Sequence, residues 1–511
     1  MRAAVRGLRG AVPRGAGRAQ PVRGAQAPGH QGLLPDHHGR ASRHAHLHGG
    51  RRRRHRPHLL AAATGGHAKG EFDANGVAFD SREIGKGDLF FALKGEATDG
   101  HLFIDKAFAN GAAGAIVSEP VDFPHILVSD TFAALNDLAR ASRARMSGKV
   151  IGVTGSAGKT GTKEALFAAL DRSSRGKAHR SIKSYNNHVG VPLSLSRMPR
   201  DTVFGIFEMG MNHAGELREL TALVQPHAAI ITTIAPAHIE FFKDESGIAD
   251  AKAEIFEGLL ADGAAIIPRD SAHYERLRNA AQLHAGHIVS FGFSPEADVR
   301  LLDHVAGVNG ETLITARLPH GALCYGLSQS GEHWISNSLA VLAAVEAVGG
   351  DLAAAGLALA ELGGLAGRGA RHLISVRNGT ALLIDESYNA NPASMRATLA
   401  ELGKVAGRKV AVLGTMKELG DKSDEFHHAL AEPLSSAKVD FTILVGEGME
   451  ILAERLKAGV EGLPEFAHCA TAREALELLK SNLRESDTIL VKGSNSMGLS
   501  AIVSDLVGGK S

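Results

Sequence analysis

The feature that most constrains the fold is an apolar run, a glycine-rich turn and a helical pattern in direct succession. The run Val150–Val153 predicts a short buried strand, and the pattern that follows predicts a helix over 162–170. Glycines in the turn let backbone N–H groups point inward, and the start of the helix adds positive potential, which is typical of a phosphate-binding site. The Lys159 ammonium would reach the β- and γ-phosphates of a nucleotide, and the Thr160 hydroxyl would bind Mg²⁺.

The segment between the strand and the helix is called the phosphate loop below. It consists of Thr154, Gly155, Ser156, Ala157, Gly158, Lys159, Thr160 and Gly161. Its glycine spacing is shorter than in the standard motif, because Val153 occupies the position of the first glycine. The alternative interpretation is an ordinary turn between a strand and a helix. The apolar strand before the loop and the helical pattern after it favour a nucleotide site.

Composition is that of a soluble globular protein with several domains. Of the 511 residues, 44% are hydrophobic and 22% are charged, and this length predicts roughly two to four domains. The net charge of +1 gives no reason to expect a nucleic acid or a membrane surface as a partner, and no apolar run reaches the roughly twenty residues of a membrane span. Cys324 and Cys469 cannot form a disulfide framework, so we expect buried thiols in a reducing cytoplasm.

Residues 1–57 differ in composition from the rest of the chain. They are rich in Arg, Gly, Ala, His and Pro, contain one acidic residue, Asp36, and show neither a helical nor a strand period. Such a composition cannot bury enough apolar surface to fold, so a disordered or spurious extension is expected. A transit peptide, a basic nucleic-acid-binding tail or a misplaced start would each explain it. We favour the misplaced start, because sequence typical of a folded domain begins abruptly near Leu59.

The remaining residues predict an α/β protein of three domains. Residues 58–146 predict a small α/β domain, 147–365 a central domain with a mostly parallel sheet and the phosphate loop, and 366–511 a Rossmann-like domain. The last segment lacks the Gly-x-Gly-x-x-Gly fingerprint, so no dinucleotide is predicted.

Two polar residues of the central segment follow predicted strands. Glu208 comes directly after the apolar run 204–207, and His238 comes shortly after the run 228–234. Because ligands of open parallel sheets bind at the carboxyl ends of the strands, we expect both residues to converge with the phosphate loop. For each residue alone, the alternatives are a surface carboxylate and a capping histidine.

Several motifs together give the chain a resemblance to the Mur ligases, the ATP-dependent amide-forming enzymes of peptidoglycan synthesis. The matching segments are 80–82, 154–160, 184–193, 208–212, 237–240, 251–256, 388–392, 416–420 and 491–494. The sequence Tyr-Asn-Ala-Asn-Pro at 388–392 separates this type from the ligase of the preceding step, which has Asp-Asn-Pro-Arg there. One departure is Thr415, because relatives usually have an aspartate at this position.

The resemblance implies a cytoplasmic, monomeric ligase that uses ATP and Mg²⁺. It would activate the terminal carboxylate of a UDP-N-acetylmuramoyl-tripeptide (UDP-MurNAc-tripeptide) as an acyl phosphate, which the amine of D-alanyl-D-alanine (D-Ala-D-Ala) then attacks. The first domain would bind the UDP end of the substrate and the second would bind ATP. The third would close over ATP and the dipeptide.

The resemblance also implies a metal site and a set of catalytic residues. Thr160 and Glu208 would bind the first Mg²⁺, which suits a hard cation that prefers oxygen ligands. His238 and Lys252 would occupy the second metal position, with Lys252 carbamylated by CO₂ and therefore anionic. From residue type alone, a lysine on a helix is expected to be a solvated cation. The implied catalytic residues are Lys159, Lys252, His238 and Glu208.

Further residues are assigned to ligands by the resemblance alone. The nucleotide-binding residues outside the phosphate loop are Asn337 near the adenine, and Arg368 and Asp385 near the phosphate and ribose. The substrate-binding residues are Ser81 and Arg82 at the uridine diphosphate, Asn186, Asn187 and His188 in the central cleft, and Tyr388, Asn389 and Asn391 at the dipeptide. The alternatives without a ligand are a helix cap for Asn337, a linker cation for Arg368 and a strand-end turn for Asp385.

Two rival functions stay open at this point. One is another amide ligase of the same superfamily, such as folylpolyglutamate synthase or the meso-diaminopimelate-adding ligase. The other is a nucleotide switch or binding protein without ligase activity. The chain has no Asn-Lys-x-Asp motif for guanine, which weighs against a GTPase.

Overall fold

The computed structural model describes residues 56–95, 98–307, 311–458 and 462–508, so most of the predicted extension at 1–57 lies outside the described residues. Three β-sheets with helices packed on them confirm the predicted α/β class. We call the parts built on these sheets the first, second and third lobes; all three belong to one compact unit. None of the helices in the described ranges has both the length and the apolarity needed to cross a membrane.

The first lobe is built on a five-stranded sheet. In chain order its elements are α1 (Pro57–Thr64), β1 (His67–Lys69), β2 (Gly76–Ala78), β3 (Asp88–Phe91), α2 (Ile104–Ala109), β4 (Gly114–Val117), β5 (His125–Leu127) and α3 (Thr131–Ala144). The strand order is β1-β5-β4-β3-β2; β1 runs antiparallel to β5, and the other neighbours are parallel. After β2 the chain enters the 3₁₀ turn Ser81–Glu83, which the Asp80 carboxylate caps by accepting the Arg82 N–H.

The second lobe is built on a nine-stranded sheet. Its elements up to the end of the parallel part are β6 (Lys149–Thr154), α4 (Lys159–Ser174), β7 (Ala178–Arg180), α5 (Gly190–Ser196), β8 (Phe204–Glu208), α6 (Glu216–Val224), β9 (Ala228–Ile231), α7 (Glu245–Ala253), β10 (Ala264–Pro268), α8 (Tyr274–Ala281), β11 (His287–Gly292) and β12 (Val299–Ala306). The elements that follow are β13 (Thr312–Leu318), β14 (Gly321–Leu327), α9 (Glu332–Ala347) and α10 (Leu352–Ala360). The strand order is β14-β13-β12-β11-β10-β9-β6-β8-β7, with antiparallel pairs only at the β12-β13-β14 edge. Since β6 lies between β8 and β9 and runs parallel to both, the three carboxyl ends meet at one edge.

Helix α4 begins at Lys159, so the predicted start at Thr162 is wrong. Gly158 at the N-cap has a φ of +83°, a left-handed conformation that glycine adopts without strain, and the chain therefore enters the helix directly after the loop. Thr160 consequently lies in the first helical turn. Strand β9 ends at Ile231, before the predicted end at 234, and the next residue, Thr232, turns toward the phosphate loop.

The third lobe is built on a six-stranded sheet. In chain order its elements are β15 (Ala370–Val376), β16 (Gly379–Glu386), α11 (Pro392–Gly403), β17 (Lys409–Gly414), α12 (Ser423–His428), α13 (Ala431–Ser436), β18 (Phe441–Val445), α14 (Glu450–Lys457), β19 (Glu465–Cys469), α15 (Ala472–Asn482), β20 (Thr488–Lys492) and α16 (Ser500–Gly508). The strand order is β15-β16-β20-β17-β18-β19; β15 runs antiparallel to β16, and the other pairs are parallel.

The central strands of the second lobe are buried on both faces. Alternate residues of β6 belong to different cores, Ile151 to one and Val150 to the other, which explains the continuous apolar run in the sequence. Phe426 of α12 packs against cores of the second and third lobes and so joins them. Cys469 is buried as predicted, but the prediction for Cys324 is wrong, because this residue faces outward from the edge strand β14.

Candidate active site

The phosphate loop is fixed by a close contact with Thr232. Gly155 has a φ of +147°, and a Cβ at this position would lie 1.9 Å from Thr232 Oγ1, so only glycine fits. The Thr232 hydroxyl in turn lies 2.5 Å from the Ala157 carbonyl oxygen and 3.2 Å from that of Thr154. The loop therefore has a defined shape before any ligand arrives.

Helix α9 covers the other side of the loop. A Cβ at Gly158 would lie 2.8 Å from Asn337 Oδ1, and a Cβ at Gly161 would lie 2.8 Å from the Trp334 ring. Asn337 is inside α9, whose N-cap is Gly331, so the helix-cap alternative for Asn337 is wrong. The Asn337 amide lies next to the loop, and its contact with an adenine stays a prediction.

The Lys159 ammonium is turned back onto its own loop, where Nζ donates to the Gly155 carbonyl at 2.7 Å. Burial lowers the pKa of Lys159; the negative charges of Glu208 and Glu418 act in the opposite direction, and Arg368 acts in the same direction as burial. A phosphate group in the loop would favour the charged form of this ammonium, because an opposite charge at short distance stabilises it.

Glu208 ends β8 with only 1% of its surface exposed, so the alternative of a surface carboxylate is wrong. Its Oε2 accepts the Thr160 hydroxyl at 2.8 Å, and its Oε1 accepts the Asn186 amide at 2.8 Å. Neighbouring ligands of octahedral Mg²⁺, bound at about 2.0–2.1 Å, are separated by about 2.9 Å. Thr160 and Glu208 are therefore spaced as two such ligands.

The residues that the structure describes contain no group of three or more His, Cys, Asp or Glu side chains able to hold a metal ion. Two protein oxygens are nevertheless a usual number for Mg²⁺, which keeps several waters and takes the remaining ligands from phosphates. The donor set of Thr160 and Glu208 thus fits Mg²⁺ delivered with a nucleotide.

Lys163 is a buried cation beside this carboxylate. Its Nζ lies 3.1 Å from Glu164 Oε1 and 3.7 Å from Glu208 Oε2, and it donates to the Lys183 carbonyl at 2.5 Å. A buried charge is tolerated where partners of opposite sign and hydrogen bonds surround it, as they do here.

His238 joins the second lobe to the third. It precedes the 3₁₀ turn Ile239–Phe241 with a φ of +59°, and its Nδ1 lies against Oε2 of Glu418, whose own φ is +63°. The contact with His238 lowers the pKa of Glu418. The two lobes also approach closely beside this pair, where a Cβ at Gly420 would lie 2.9 Å from the Glu240 Cβ. Left-handed non-glycine residues persist only where the surroundings hold them, and they cluster at functional sites.

Lys252 lies on α7 with 1% of its surface exposed, so the expectation of a solvated cation is wrong. In the described part of the chain its ammonium has neither a hydrogen bond nor a carboxylate partner. Burial lowers the pKa of Lys252 well below its usual value, and the charge of Lys159 acts in the same direction. The site therefore favours the neutral amine, which is the form that reacts with CO₂.

Arg368 reaches from the third lobe to the second. Its guanidinium stacks on the Tyr388 ring at 4.3 Å from the centroid, and its Nη2 donates to Ser184 Oγ at 3.3 Å. Asp385 is buried, and its Oδ1 accepts the Ser387 N–H at 3.1 Å and the Ser387 hydroxyl at 2.6 Å. Its Oδ2 accepts the Gly367 N–H at 2.6 Å. Asp385 therefore stabilises a turn at the end of β16, as the alternative interpretation expected. Its contact with a ribose stays a prediction.

Asn391 links the third lobe directly to the phosphate loop. Its Oδ1 caps α11 by accepting the Ser394 N–H at 2.8 Å, and its Nδ2 donates to the Ser156 carbonyl at 3.3 Å. The carbonyl of Asn389 accepts a hydrogen bond at 3.0 Å from Nζ of the buried Lys492. The predicted contacts of Tyr388, Asn389 and Asn391 with a dipeptide are untested by this geometry.

The residues predicted for the uridine diphosphate lie in one turn of the first lobe. Ser81 is buried, and the exposed Arg82 holds Asp80 through Nε at 2.9 Å and Nη2 at 2.6 Å. Asn187 and His188 lie on the second lobe before α5; the Asn187 Oδ1 accepts the Gly190 N–H at 2.9 Å, and the exposed His188 stacks edge-on against a phenylalanine of α3. Their roles in substrate binding stay predictions.

A cavity of about 240 Å³ separates the second and third lobes beside the phosphate loop. Gln329, His333 and Trp334 line it from one side and Glu386 from the other, and Trp334 also contacts Gly161. Burial lowers the pKa of His333, which favours its neutral ring. Trp334 therefore lies between the cavity and the phosphate loop and contacts both.

Glu418, Ser184 and Lys163 are residues of this site that the sequence patterns did not single out. Glu418 and Ser184 lie in the matching segments 416–420 and 184–193, and their place in these motifs was the available signal. Lys163 follows Lys159 by one helical turn, so it could have been recognised as a second cation on the same helix face. The departure at Thr415 lies inside the third lobe, where its hydroxyl contacts a carbonyl of β18 at 3.3 Å.

Comparison with known proteins covers nearly the whole described chain. The Mur ligase family, catalytic domain, matches residues 73–148; the Mur ligase middle domain matches 153–345; and the Mur ligase, glutamate ligase domain, matches 372–495. The chain is 35% identical over 443 residues to the UDP-N-acetylmuramoyl-tripeptide–D-alanyl-D-alanine ligase of Bacillus subtilis (strain 168), covering 85% of this chain and 93% of that protein.

Two solved structures are similar along most of their length. MurF from Acinetobacter baumannii has a TM-score of 0.76 and 33% identity, covering 89% of this chain and 99% of its own. The MurF ligase from Thermotoga maritima in complex with ADP has a TM-score of 0.69 and 26% identity, covering 85% and 97%.

Proposed function

The chain belongs to the Mur ligase family, and from that premise we propose that it joins D-Ala-D-Ala to a UDP-MurNAc-tripeptide while ATP is converted to ADP and phosphate. The observation that carries the proposal is the closure of the third lobe over the phosphate loop. Asn391 donates to Ser156, and Arg368 donates to Ser184, which lies 3.5 Å from the Thr160 hydroxyl. The curated relative from Bacillus subtilis bears the name of this reaction.

The nucleotide is proposed to lie between the second and third lobes. Its phosphates would occupy the phosphate loop, where Lys159 supplies positive charge. Its base and ribose would enter the 240 Å³ cavity that adjoins the loop at Trp334. Asn337 beside Gly158 is suitably placed for a polar contact near the base. The ADP complex of the Thermotoga maritima relative supports a nucleotide in this family.

Mg²⁺ is proposed to bind Thr160 and Glu208, whose oxygens are 2.8 Å apart. The ion would neutralise charge on the transferred phosphoryl group. A second ion at His238 would need an anionic partner. We propose that carbamylated Lys252 is that partner, because burial lowers the pKa of its amine and so favours the neutral form that reacts with CO₂. His238 itself is within reach of Glu418, a further carboxylate.

The chemistry proceeds in two balanced steps. An oxygen of the tripeptide carboxylate attacks the γ-phosphorus, the bond to the β-phosphate oxygen breaks, and ADP leaves. The neutral amine of the dipeptide then attacks the acyl carbon, loses a proton, and expels phosphate as the amide forms. Lys159 and Arg368 would orient the phosphoryl group and offset its charge, which is the main contribution of a protein to phosphoryl transfer.

Further features of the proposal follow from the lobes. The limits of the domains are proposed as 58–146, 147–365 and 366–511, since each range contains one sheet. The uridine diphosphate is proposed to bind at Ser81 and Arg82. The dipeptide is proposed to bind near Tyr388, Asn389 and Asn391, and the peptide stem near Asn186, Asn187 and His188. We also propose that one chain suffices and acts in the cytoplasm, where ATP and UDP-sugars are made.

A substrate panel tests this function. Purified protein with ATP and Mg²⁺ is given UDP-MurNAc-tripeptide with D-Ala-D-Ala. In parallel it is given the corresponding UDP-MurNAc-dipeptide with meso-diaminopimelate or lysine, and a folate with glutamate. We expect ADP release and a UDP-MurNAc-pentapeptide mass only with D-Ala-D-Ala. Product with another acceptor would support a different amide ligase, and ADP release without any acceptor would support a nucleotide switch.

A further inference from the structure

A short segment of the second lobe is bound by the first lobe through one carboxylate. We call residues 183–186 the bridging segment. Lys183 Nζ lies 2.5 Å from Glu83 Oε1, and the Tyr185 hydroxyl lies 3.0 and 2.9 Å from the two oxygens of the same carboxylate. The hydrogen bond to Glu83 raises the pKa of Lys183. One side chain of the first lobe therefore holds two residues of the bridging segment.

The same segment reaches the nucleotide site with its other residues. Ser184 Oγ lies 3.5 Å from the Thr160 hydroxyl and accepts the Arg368 guanidinium at 3.3 Å. Asn186 Nδ2 donates to Glu208 Oε1 at 2.8 Å. Residues that contact the first lobe thus alternate with residues that contact the proposed Mg²⁺ ligands and the third lobe.

The backbone of the bridging segment is left-handed at Lys183 and is held there by a hydrogen bond from helix α4. Lys183 has a φ of +54°, and its carbonyl accepts the buried Lys163 ammonium at 2.5 Å. A left-handed lysine is unfavourable, and the surroundings must supply the contacts that keep it. A change at the Glu83 contact would therefore shift the residues that follow it.

Glu83 shares a turn with the residues proposed to bind the uridine diphosphate. The 3₁₀ helix Ser81–Glu83 contains Ser81, Arg82 and Glu83, and Arg82 is tied to Asp80. This step rests on the function proposed above. A substrate phosphate that binds Arg82 would pull this residue away from Asp80 and so shift the turn. The last residue of that turn is Glu83, which holds the bridging segment.

We propose that Glu83 is a positioning residue that couples the UDP-sugar site of the first lobe to the Mg²⁺-nucleotide site of the second. Glu83 holds Lys183 and Tyr185. Between and after these two residues, the bridging segment places Ser184 next to both Thr160 and Arg368, and it places Asn186 next to Glu208. Binding of either ligand then favours the geometry that the other requires. The coupling must be reciprocal, because both ligands act on one equilibrium.

Calorimetric titrations of the full chain test the proposal. The dissociation constant of the protein for a non-hydrolysable ATP analogue is measured in the presence of Mg²⁺, with and without saturating UDP-MurNAc-tripeptide. As a check, the dissociation constant for the tripeptide is measured with and without the saturating analogue. In the wild type we expect the tripeptide to tighten nucleotide binding at least about fivefold, near the lower end of known couplings. Glu83→Gln, which keeps the shape but loses the charge, should bring this factor to within about twofold of unity, because the ion pair with Lys183 is lost.

Three further variants make the result specific. Lys183→Asn removes the ammonium with a residue that tolerates left-handed backbone, and Tyr185→Phe removes the hydroxyl; both should lower the coupling factor even if Glu83→Gln does not fold. Glu119→Gln, an exposed carboxylate of the same lobe, is the matched control and should keep the wild-type factor.

Other results would overturn either the positioning role of Glu83 or the proposed function. A wild-type coupling factor of one, or an unchanged factor in the folded Glu83, Lys183 and Tyr185 variants, overturns the positioning role while pentapeptide synthesis stands. Failure of the wild type to bind UDP-MurNAc-tripeptide at all overturns the proposed function and this inference with it.

Discussion

Replacing Gly155 with alanine should damage nucleotide binding without unfolding the protein. The new Cβ would lie 1.9 Å from Thr232 Oγ1, and the φ of +147° is one that alanine rarely adopts. The backbone strain is about 1–3 kcal/mol. Displacing the Thr232 hydroxyl from Ala157 costs a further hydrogen bond of about 1 kcal/mol. The phosphate loop should therefore lose about 2–4 kcal/mol of preorganisation, and the dissociation constant for Mg²⁺-ATP should rise about 30-fold to 700-fold.

Titration of Gly155→Ala with a non-hydrolysable ATP analogue measures this loss. Gly215→Ala is the matched control, because Gly215 also has a positive φ, +94°, but a Cβ there meets no atom within 4 Å. The control should bind nucleotide like the wild type. The double variant Gly155→Ala/Thr232→Ala, which removes the obstructing hydroxyl, should recover part of the affinity. Wild-type affinity in Gly155→Ala would refute the reasoning.

Four other predictions concern the site and its surroundings. Lys252→Ala should abolish ligation without loss of folded protein, and a carbamate signal seen by ¹³C NMR with labelled bicarbonate should vanish; an active variant would contradict the carbamate role. Bicarbonate should not restore this variant, whereas a small carboxylate should restore part of the activity. Glu208→Gln should raise the Mg²⁺ concentration for half-maximal activity at least about 10-fold, as expected when the environment of a metal ligand is altered. Glu418→Gln should lower kcat at least about tenfold, since a hydrogen bond to a charged group is worth about 1.5–3 kcal/mol, and an unchanged kcat would remove Glu418 from the site. Burial lowers the pKa of His179 to about 4, below an unfolded value of about 6.5, so the stability contributed by neutral His179 is complete above about pH 6.5 and declines as the pH falls toward 4. Thermal unfolding between pH 7 and pH 4 should show a weaker pH dependence in His179→Gln than in the wild type, while the exposed His58→Gln should keep the wild-type dependence.

The sheets of the second and third lobes could be predicted because their strands are buried on both faces. Val150–Val153 reads as an apolar run, and a parallel strand with helices on both sides has no polar face to interrupt that run. Glu208 could be placed at the site for a related reason, since it is the last residue of an apolar strand that runs parallel to β6. The start of α4 was misplaced because the left-handed Gly158 acts as the N-cap, a role that periodicity does not reveal.

Contacts between lobes could not be predicted from local patterns. Glu418 meets His238, and Glu83 meets Lys183, across about 100 residues or more of intervening chain, and nothing in either sequence neighbourhood indicates the partner. Residue type alone could not show the burial of Lys252, although the resemblance had assigned this lysine to the metal site. A helical lysine is nearly always solvated, and only the packing of α7 shows that this one is not.

Transfer of an oxygen isotope tests the central claim most directly. UDP-MurNAc-tripeptide labelled with ¹⁸O in its terminal carboxylate is turned over with ATP, Mg²⁺ and D-Ala-D-Ala, and the released phosphate is analysed by mass spectrometry. If the carboxylate attacks the γ-phosphorus, each phosphate carries one ¹⁸O atom from the peptide. Phosphate without the label, formed alongside the pentapeptide, would contradict an acyl phosphate and with it the account of this site.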